Sequence, residues 1–136
     1  MFSASAARRE IDLVEIALDD GMRVHCDRDR IFQVLVNLLS NALRFTPPSG
    51  RVSVAYERHG DAVRIAVSDS GVGIPPDQLP HLFERFWRAP RPASDGNGLG
   101  LYIAHGILAE HGSALEVEST VDIGTTFAFE LPLVAT

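Results

Sequence analysis

The sequence predicts an α+β fold: a two-layer sandwich in which a mixed, mostly antiparallel sheet carries helices on one face. Three observations lead to this prediction. Two segments have the apolar period of a long helix, shorter ones alternate apolar and polar residues as strands do, and the order is strands, helix, hairpin, loop, helix, hairpin. With 136 residues, 46% of them hydrophobic, we expect a single domain over residues 1–136, with residues 1–9 a frayed start or a cloning remnant.

The first half of the chain begins with strands and continues with a long helix. We place the strands at residues 11–18 and 23–26, separated by a turn. Asp27 is a good helix N-cap, because its carboxylate can accept hydrogen bonds from the free N–H groups of the first turn. The helix then runs to about Phe45, because the proline pair at residues 47–48 cannot continue it.

The second half contains two hairpins and a second helix. In the first hairpin, alternating apolar residues flank a turn at residues 59–61, and the second hairpin follows Gly112, which ends the second helix. We place the four strands at residues 52–56, 63–67, 114–118 and 125–131. Between the hairpins we place a short helical turn over residues 78–88, a loop over residues 89–97 and the helix over residues 99–110.

Charge and residue usage exclude several classes of function. The formal net charge is −6, whereas a nucleic-acid-binding domain needs a basic face. All 12 basic residues are arginine, so the chain lacks the lysine of a Walker A loop, of a eukaryotic protein kinase and of a Schiff-base enzyme. The lone Cys26 excludes an internal disulfide and a Cys-rich zinc site. No apolar run approaches the ~18 residues of a membrane helix, so we expect a cytoplasmic chain or the cytoplasmic part of a larger membrane protein.

A polar stripe runs along the first predicted helix. Gln33, Asn37, Asn41 and Arg44 are spaced by four, four and three residues, so they share one face of a helix whose other faces are apolar. Asparagine is a poor helix former, and two asparagines in mid-helix need a reason. One interpretation is an ordinary exposed edge. The other is a side-chain oxygen offered to a hard cation such as magnesium.

A carboxylate ends the apolar row of a predicted strand. The period of two places Asp69 on the same face as Val63, Ile65 and Val67, which points to the core. A carboxylate there must be paired or strongly hydrogen-bonded. The glycines that follow let the backbone approach something flat or anionic closely. The alternative is a strand-ending aspartate that merely caps a turn.

Two further segments each have two interpretations. GNGLGL, residues 96–101, opens the second long helix, where bare backbone N–H groups attract an anion and phosphate is the usual one. It departs from the dinucleotide fingerprint, because its third glycine is one residue early and no strand precedes it. LFERFWR, residues 82–88, carries three aromatic rings that fit either the core or the anchor of a lid.

The order and spacing of these segments resemble the catalytic, ATP-binding domain of bacterial sensor histidine kinases. NLLSNALRFTP at residues 37–47 resembles the N box of that family, DSGVGI at residues 69–74 its first glycine box, LFERFWR its F box and GNGLGL its second glycine box. HG at residues 111–112 and GTTF at residues 124–127 are similar to the end of the same domain. The resemblance covers residues 11–133, and four motifs in the family's order make it specific.

The resemblance implies a fold and an activity. The fold is the Bergerat-type ATP-binding sandwich, shared with DNA gyrase, mismatch-repair ATPases and a heat-shock chaperone. The activity is that of an ATP-dependent protein histidine kinase, which binds ATP and Mg²⁺ and donates the γ-phosphate to a histidine of a separate dimerisation and phosphoacceptor domain. A response regulator is then an indirect partner in two-component signal transduction. Nucleic acid and direct membrane contact are not expected, and the chain is cytoplasmic or the cytoplasmic part of a membrane-bound sensor.

The resemblance also assigns roles to single residues. Asn41 would ligate magnesium, with Asn37 beside it. Asp69 would accept a hydrogen bond from the adenine amino group, supported by Thr125. The ATP-binding set implied in this way is Asn37, Asn41, Arg44, Phe45, Asp69, Gly71, Gly73, Ile74, Arg88, Gly96, Gly98, Leu99, Gly100, Leu101 and Thr125.

The glycines of the resemblance have two roles. Gly71 and Gly73 would let the chain pass close to the base. Gly96, Gly98 and Gly100 would form the phosphate side and hinge of a lid. That lid, the loop of residues 89–97, has two prolines and no apolar period, so we expect it to be mobile without nucleotide. Arg88 flanks it and could reach phosphate.

The chain departs from the family pattern at a few positions. The usual lysine after the N box is Arg44, which keeps the positive charge for phosphate but has a longer, planar fork. The usual tyrosine is Phe45, which keeps the ring and loses the hydroxyl. Asp122 stands where the last glycine box usually has its first glycine, and the loop after the F box is a few residues short.

Position 37 bears on the type of reaction. ATPases of this fold have a water-activating glutamate there, and Asn37 cannot act as a base, which favours transfer to a protein over hydrolysis. None of the five histidines has the context of the family's phosphoacceptor, so we expect no catalytic nucleophile or base on this chain. An ATP hydrolase or serine kinase of the same fold, and a nucleotide-binding regulatory module without catalysis, stay open as alternatives.

Overall fold

A computed structural model of the chain describes residues 12–16, 24, 26–84 and 99–133. Within these ranges lie two helices and five strands, the α+β composition that the sequence predicts. The helices are Arg28–Phe45 (α1) and Gly100–Glu110 (α2), and a short 3-10 turn covers Leu79–His81. The strands are Asp12–Ile16 (β1), Arg51–His59 (β2), Ala62–Asp69 (β3), Glu116–Thr120 (β4) and Gly124–Pro132 (β5).

The strands form a five-stranded sheet in the order β1-β2-β3-β5-β4. Strands β1 and β2 pair in parallel, and the other three pairings are antiparallel. The prediction of a mixed, mostly antiparallel sheet is therefore confirmed. The pairing of β3 with β5 brings Asp69 opposite Thr125, which are distant in the sequence. This register places the end of β3 beside the start of β5.

The core lies between one face of the sheet and the two helices. Val34 and Leu38 of α1 and Leu108 of α2 have no exposed surface, and Phe129 of β5 is 1% exposed. They belong to one hydrophobic cluster that also contains the alternating apolar residues of β2 and β3. The buried residues of α1 recur at three- and four-residue intervals, which is the spacing of one face of a helix. The expected helix layer on one face of the sheet is thus present.

Helix α1 begins and ends as the sequence predicts. The Asp27 side chain accepts a hydrogen bond from the Arg30 backbone N–H at 3.3 Å, and Thr46 ends the helix just before the prolines. At the same end of the molecule His111 joins α1 to the end of α2. Its Nε2 accepts the Asp27 N–H at 3.1 Å, and its Nδ1 lies 2.8 Å from the Ile107 carbonyl. His111 therefore has a structural role in holding the helix pair together.

Some predicted elements have different bounds. The predicted strand at residues 23–26 was wrong in its described part: Val24 makes an isolated bridge to Leu133, because the chain turns into the cap of α1 three residues later. The strand predicted at 114–118 is Glu116–Thr120, since the chain first reverses after α2 through the hydrogen bond from Ser113 N–H to the Leu108 carbonyl at 2.8 Å.

Other bounds differ as well: the strand predicted at residues 52–56 is longer, Arg51–His59. The strand predicted at residues 11–18 is described over Asp12–Ile16. The helical turn predicted at residues 78–88 is, where described, the single 3-10 turn Leu79–His81 followed by a hydrogen-bonded turn to Glu84. The remainder of that predicted turn, residues 85–88, lies outside the described part of the chain.

We predict that Leu38→Ala will destabilise the fold by about 2–5 kcal/mol, because it opens a cavity at a fully buried position between α1 and the sheet. Phe32→Ala is the matched control on the same helix, since Phe32 is 57% exposed. We expect it to change the free energy of unfolding by no more than about 0.5 kcal/mol. Urea unfolding followed by circular dichroism measures both. Equal losses in the two variants would contradict this packing.

Candidate functional site

The site is centred on the carboxylate of Asp69, the last residue of β3. It ends the core-facing row of that strand, as predicted, and is half-buried. One carboxylate oxygen accepts the Gly71 N–H at 2.9 Å, and the Thr125 backbone also hydrogen-bonds the carboxylate. Burial raises the pKa of Asp69 above its ordinary value of 3.8, while these two hydrogen bonds oppose the rise. The result is a half-buried carboxyl group held by backbone donors at the edge of the core.

Two glycines allow the backbone to close around this carboxylate. A Cβ on Gly71 would lie 2.4 Å from the Phe45 carbonyl oxygen, so the loop after β3 packs directly on the end of α1. A Cβ on Gly124 would lie 2.0 Å from the Asp69 carbonyl oxygen, so β5 starts in contact with the end of β3. Any side chain at either position would push the surrounding backbone apart.

The glycine loop also packs on the hairpin of β4 and β5. Gly73 has a φ of +74°, and a Cβ there would lie 2.3 Å from the Thr120 carbonyl oxygen. The packing of the chain therefore requires glycine at Gly71 and Gly73. The close approach of a base at these two glycines stays a prediction.

The turn between β4 and β5 explains the aspartate at position 122. Asp122 has a φ of 66°, a left-handed conformation that favours glycine, and aspartate is one of the few other residues that adopt it routinely. Its N–H donates to the Val72 carbonyl at 2.9 Å, which ties the turn to the glycine loop. The departure from the family pattern at this position therefore preserves the backbone geometry.

A hydroxyl network links the glycine loop to the start of β5. Ser119 Oγ accepts the Ile74 N–H at 2.7 Å and lies 2.8 Å from Thr125 Oγ1 and 3.2 Å from the Gly124 carbonyl oxygen. Thr125 is buried, 6% exposed. Sequence reasoning did not single out Ser119. The signal was available, since Ser119 follows Val117 at the strand period, much as Asp69 follows Val67.

The polar stripe of α1 faces the start of α2. Gln33 Nε2 donates to Asn37 Oδ1 at 2.7 Å, and Asn37 Nδ2 donates to the Gly100 carbonyl at 3.0 Å. Asn37 Nδ2 thus connects the two helices, while Asn37 Oδ1 is held by Gln33 of the same helix. Asn41 and Arg44 follow it on the same face and are half-exposed, and the Arg44 guanidinium carbon lies 5.8 Å from the centre of the Phe45 ring.

The start of α2 presents backbone donors. Leu99 is its N-cap, and among the described residues no side chain caps the N–H groups of the first turn. Leu101 is 7% exposed and belongs to the core, and the partly buried Ile74 packs against the same core. Three further residues of the predicted ATP-binding set and the predicted lid lie outside the described residues: Arg88, Gly96, Gly98 and the loop of residues 89–97.

Over the described residues, neither helix is long and apolar enough to cross a bilayer. In the same part of the chain, histidine, cysteine and carboxylate side chains form no group of three or more that could hold a metal ion. The side-chain oxygens that the predicted ATP-binding set contributes in this part of the chain belong to Asn37, Asn41, Asp69 and Thr125.

The chain has extensive similarity to known proteins. Residues 26–135 match the family described as histidine kinase-, DNA gyrase B-, and HSP90-like ATPase. The sensor histidine kinase ZraS of Salmonella typhimurium is 39% identical over 136 residues, which cover 99% of this chain and 29% of ZraS. The chain spans 24–29% of the length of the curated relatives it matches first.

Solved structures agree with this similarity. The catalytic domain of histidine kinase ThkA matches with a TM-score of 0.84 at 33% identity, covering 96% of this chain and 86% of that one. ThkA in complex with the response regulator TrrA matches with a TM-score of 0.81 at 31% identity, covering 98% and 37%. Full-length ShkA in complex with AMPPNP matches with a TM-score of 0.87 at 30% identity, covering 99% and 28%.

We predict that Asp69→Asn will gain stability relative to the wild type as pH rises. A carboxyl group whose pKa is raised in the folded state stabilises the fold fully at pH values below its unfolded-state pKa of 3.8. This stabilisation is lost as pH rises through the folded-state pKa, because the half-buried charge is costly. Asparagine keeps the shape and cannot ionise. Urea unfolding of both proteins, from pH near 3.8 to neutral, measures the difference. Parallel curves over that range would contradict the burial of Asp69.

Proposed function

The chain belongs to the family of histidine kinase-, DNA gyrase B- and HSP90-like ATPases, and on that premise we propose that it binds Mg-ATP and donates the γ-phosphate to a histidine. That histidine lies on a separate dimerisation and phosphoacceptor domain, and a response regulator is the indirect partner. The observation that carries the proposal is the Asp69 carboxylate, half-buried, held by backbone donors and next to Thr125. We propose that residues 1–136 form one such domain and act in the cytoplasm.

Asp69 suits the recognition of an amino group. An ionised carboxylate only accepts hydrogen bonds, and the Gly71 N–H occupies one of several acceptor positions on it. The adenine 6-amino group is a donor that can use a remaining position. Because the carboxylate is half-buried, such a contact is stronger than it would be in water. ShkA, a structural match, was solved in complex with AMPPNP, an adenine nucleotide analogue, which supports this ligand class.

The phosphates suit the space between α1 and the start of α2. The N-terminus of a helix favours an anion, because its backbone N–H groups and the helix dipole point toward it, and no described side chain caps α2. The stripe of α1 passes this point, since Asn37 contacts Gly100. We assign Arg44 as the phosphate cation of the stripe, the role taken by lysine in the family pattern.

The donor set also fits a magnesium ion. Mg²⁺ prefers oxygen ligands and is usually held by one or two protein groups together with substrate phosphates, so it does not need a cage of carboxylates. The Asn41 carboxamide supplies such an oxygen on the same face of α1 as Asn37. Bound there, magnesium would neutralise charge on the phosphates.

The described residues favour transfer of the γ-phosphoryl group to a protein over hydrolysis of ATP. Hydrolysis needs a base to activate water, and the carboxamide of Asn37 is not basic and is occupied with Gln33 and Gly100. In the proposed transfer, the bond from the γ-phosphorus to the bridging oxygen of ADP breaks as a bond to the accepting histidine nitrogen forms. This chain contributes positioning and charge, which dominate such reactions, and the partner domain contributes the nucleophile.

We predict that the chain will carry no stable label when incubated with Mg-ATP labelled in the γ-phosphate, and that an added dimerisation domain will become labelled. The label should be acid-labile, as phosphohistidine is.

Asp69→Asn should weaken ATP binding, measured by calorimetry, and reduce this transfer while keeping the fold. Ser68→Ala is the control, because Ser68 precedes it on the opposite face of the sheet and contacts Thr126 at 2.9 Å. Label on this chain alone, or undiminished ATP affinity in Asp69→Asn, would overturn the assignment.

We predict that Arg44→Ala will weaken ATP binding about ten- to a hundredfold, because a charge-assisted contact contributes ~1.5–3 kcal/mol. Adenosine lacks the phosphates and should bind this variant as it binds the wild type. Arg58→Ala removes the same charge from the far hairpin, where Arg58 contacts Gly60, and should change neither ligand. Calorimetric titration separates the two ligands. Equal losses for ATP and adenosine would show that Arg44 supports the fold instead of the phosphates.

A further inference from the structure

Ser119 is joined to the loop that follows Asp69 and to the threonine beside it. We propose that Ser119 is a positioning residue: it orients the Thr125 hydroxyl as a hydrogen-bond donor, so that the pocket selects a 6-amino purine over a 6-oxo purine. The proposal rests on the ATP binding proposed above and adds the origin of base specificity. Ser119 does not itself contact the base and acts through Thr125.

The hydrogen bonds of Ser119 leave it few options. A serine hydroxyl has one proton to donate and two lone pairs. The Ile74 N–H occupies one lone pair at 2.7 Å. The Ser119 proton goes either to Thr125 Oγ1 at 2.8 Å or to the Gly124 carbonyl at 3.2 Å, and in the second arrangement the other lone pair accepts the Thr125 proton. The contact to Thr125 lies at the usual O–H···O distance, whereas 3.2 Å to Gly124 is long for a hydroxyl donor, so donation to Thr125 is the stronger use of the Ser119 proton. When Ser119 donates to it, the Thr125 proton is free to point to a ligand.

Asp69 and Thr125 then present two different groups side by side. They are directly opposed across β3 and β5 and share the core-facing side of the sheet. Asp69 offers an acceptor, and the oriented Thr125 offers a donor, directly or through one bridging water. Adenine has the complementary edge, with a 6-amino donor next to the N1 acceptor. A 6-oxo purine reverses both, so each of its groups would face a like partner and binding would suffer.

The position of Ser119 in the fold makes this orientation rigid. The same oxygen holds the Ile74 N–H, and the neighbouring turn is held by the hydrogen bond from Asp122 N–H to the Val72 carbonyl. The glycine loop and the β4–β5 hairpin therefore hold Ser119 from two sides. On the opposite face Ser68 and Thr126 form a hydroxyl pair at 2.9 Å, which provides a matched control without any link to Asp69's carboxylate.

The test compares ATP with inosine triphosphate, which differs from ATP in its 6-oxo group and N1 proton. The affinity ratio of the two nucleotides is measured by calorimetry for the full chain. In Ser119→Ala the Thr125 hydroxyl can turn and accept from the N1 proton of inosine, so we expect the preference for ATP to fall about tenfold. Ser119→Thr keeps a hydroxyl and should restore the preference. Ser68→Ala should leave it unchanged.

A double-mutant cycle tests the route through Thr125. If Ser119 acts through that hydroxyl, adding Ser119→Ala to Thr125→Val should not lower the preference further. Thr125→Val by itself should lower the preference for ATP as Ser119→Ala does. This variant leaves the contact between Ser119 and Ile74 in place, so it provides the test if Ser119→Ala does not fold. Equal weakening of both nucleotides in these variants would overturn the proposal and leave Ser119 a structural residue. A wild-type chain that binds neither nucleotide would instead overturn the proposed function.

Discussion

The site depends on one requirement: a carboxylate that ends a core-facing row must receive hydrogen bonds, since an unpaired buried charge is very costly. In this fold the donors for Asp69 are backbone N–H groups from the loop that follows it and from the neighbouring strand β5. The antiparallel pairing of β3 with β5 supplies the second of them. Gly71 and Gly124 let both segments come close enough. The carboxylate is half-buried and still has acceptor positions for a ligand. A carboxylate fully neutralised in an ion pair would offer fewer.

Helix α1 connects this carboxylate to the other end of the proposed nucleotide. Its buried face, with Val34 and Leu38, fixes the helix over the sheet. Its polar stripe is therefore held at a fixed distance from the sheet edge, and Asn37 adds a direct bond to the first residue of α2. The proposed base side and the proposed phosphate side of the site thus rest on the same packed layer. A helix that was only solvated on its polar face would not position α2 in this way.

The hairpin of β4 and β5 supports the glycine loop that follows Asp69. Its turn donates from Asp122 N–H to the Val72 carbonyl, and Ser119 accepts from Ile74. Gly73 fits between them because its missing Cβ leaves room for the backbone of the hairpin. This arrangement gives the aspartate at position 122 a physical reason, since its left-handed φ is the conformation that a glycine would supply. Replacing a family glycine there therefore need not alter the site.

The sequence by itself determined the helices, most strands, the core-facing position of Asp69 and the family. These follow from short-range periods of two and about 3.6, from the cap at Asp27 and from the order of the motifs. Only the tertiary structure decided what Asn37 and Ser119 contact and which backbone each glycine accommodates. The partners concerned are 63 residues apart for Asn37 and Gly100, and 45 apart for Ile74 and Ser119. Contacts at such separations are set by how the sheet and helices pack, and local periodicity carries no trace of them.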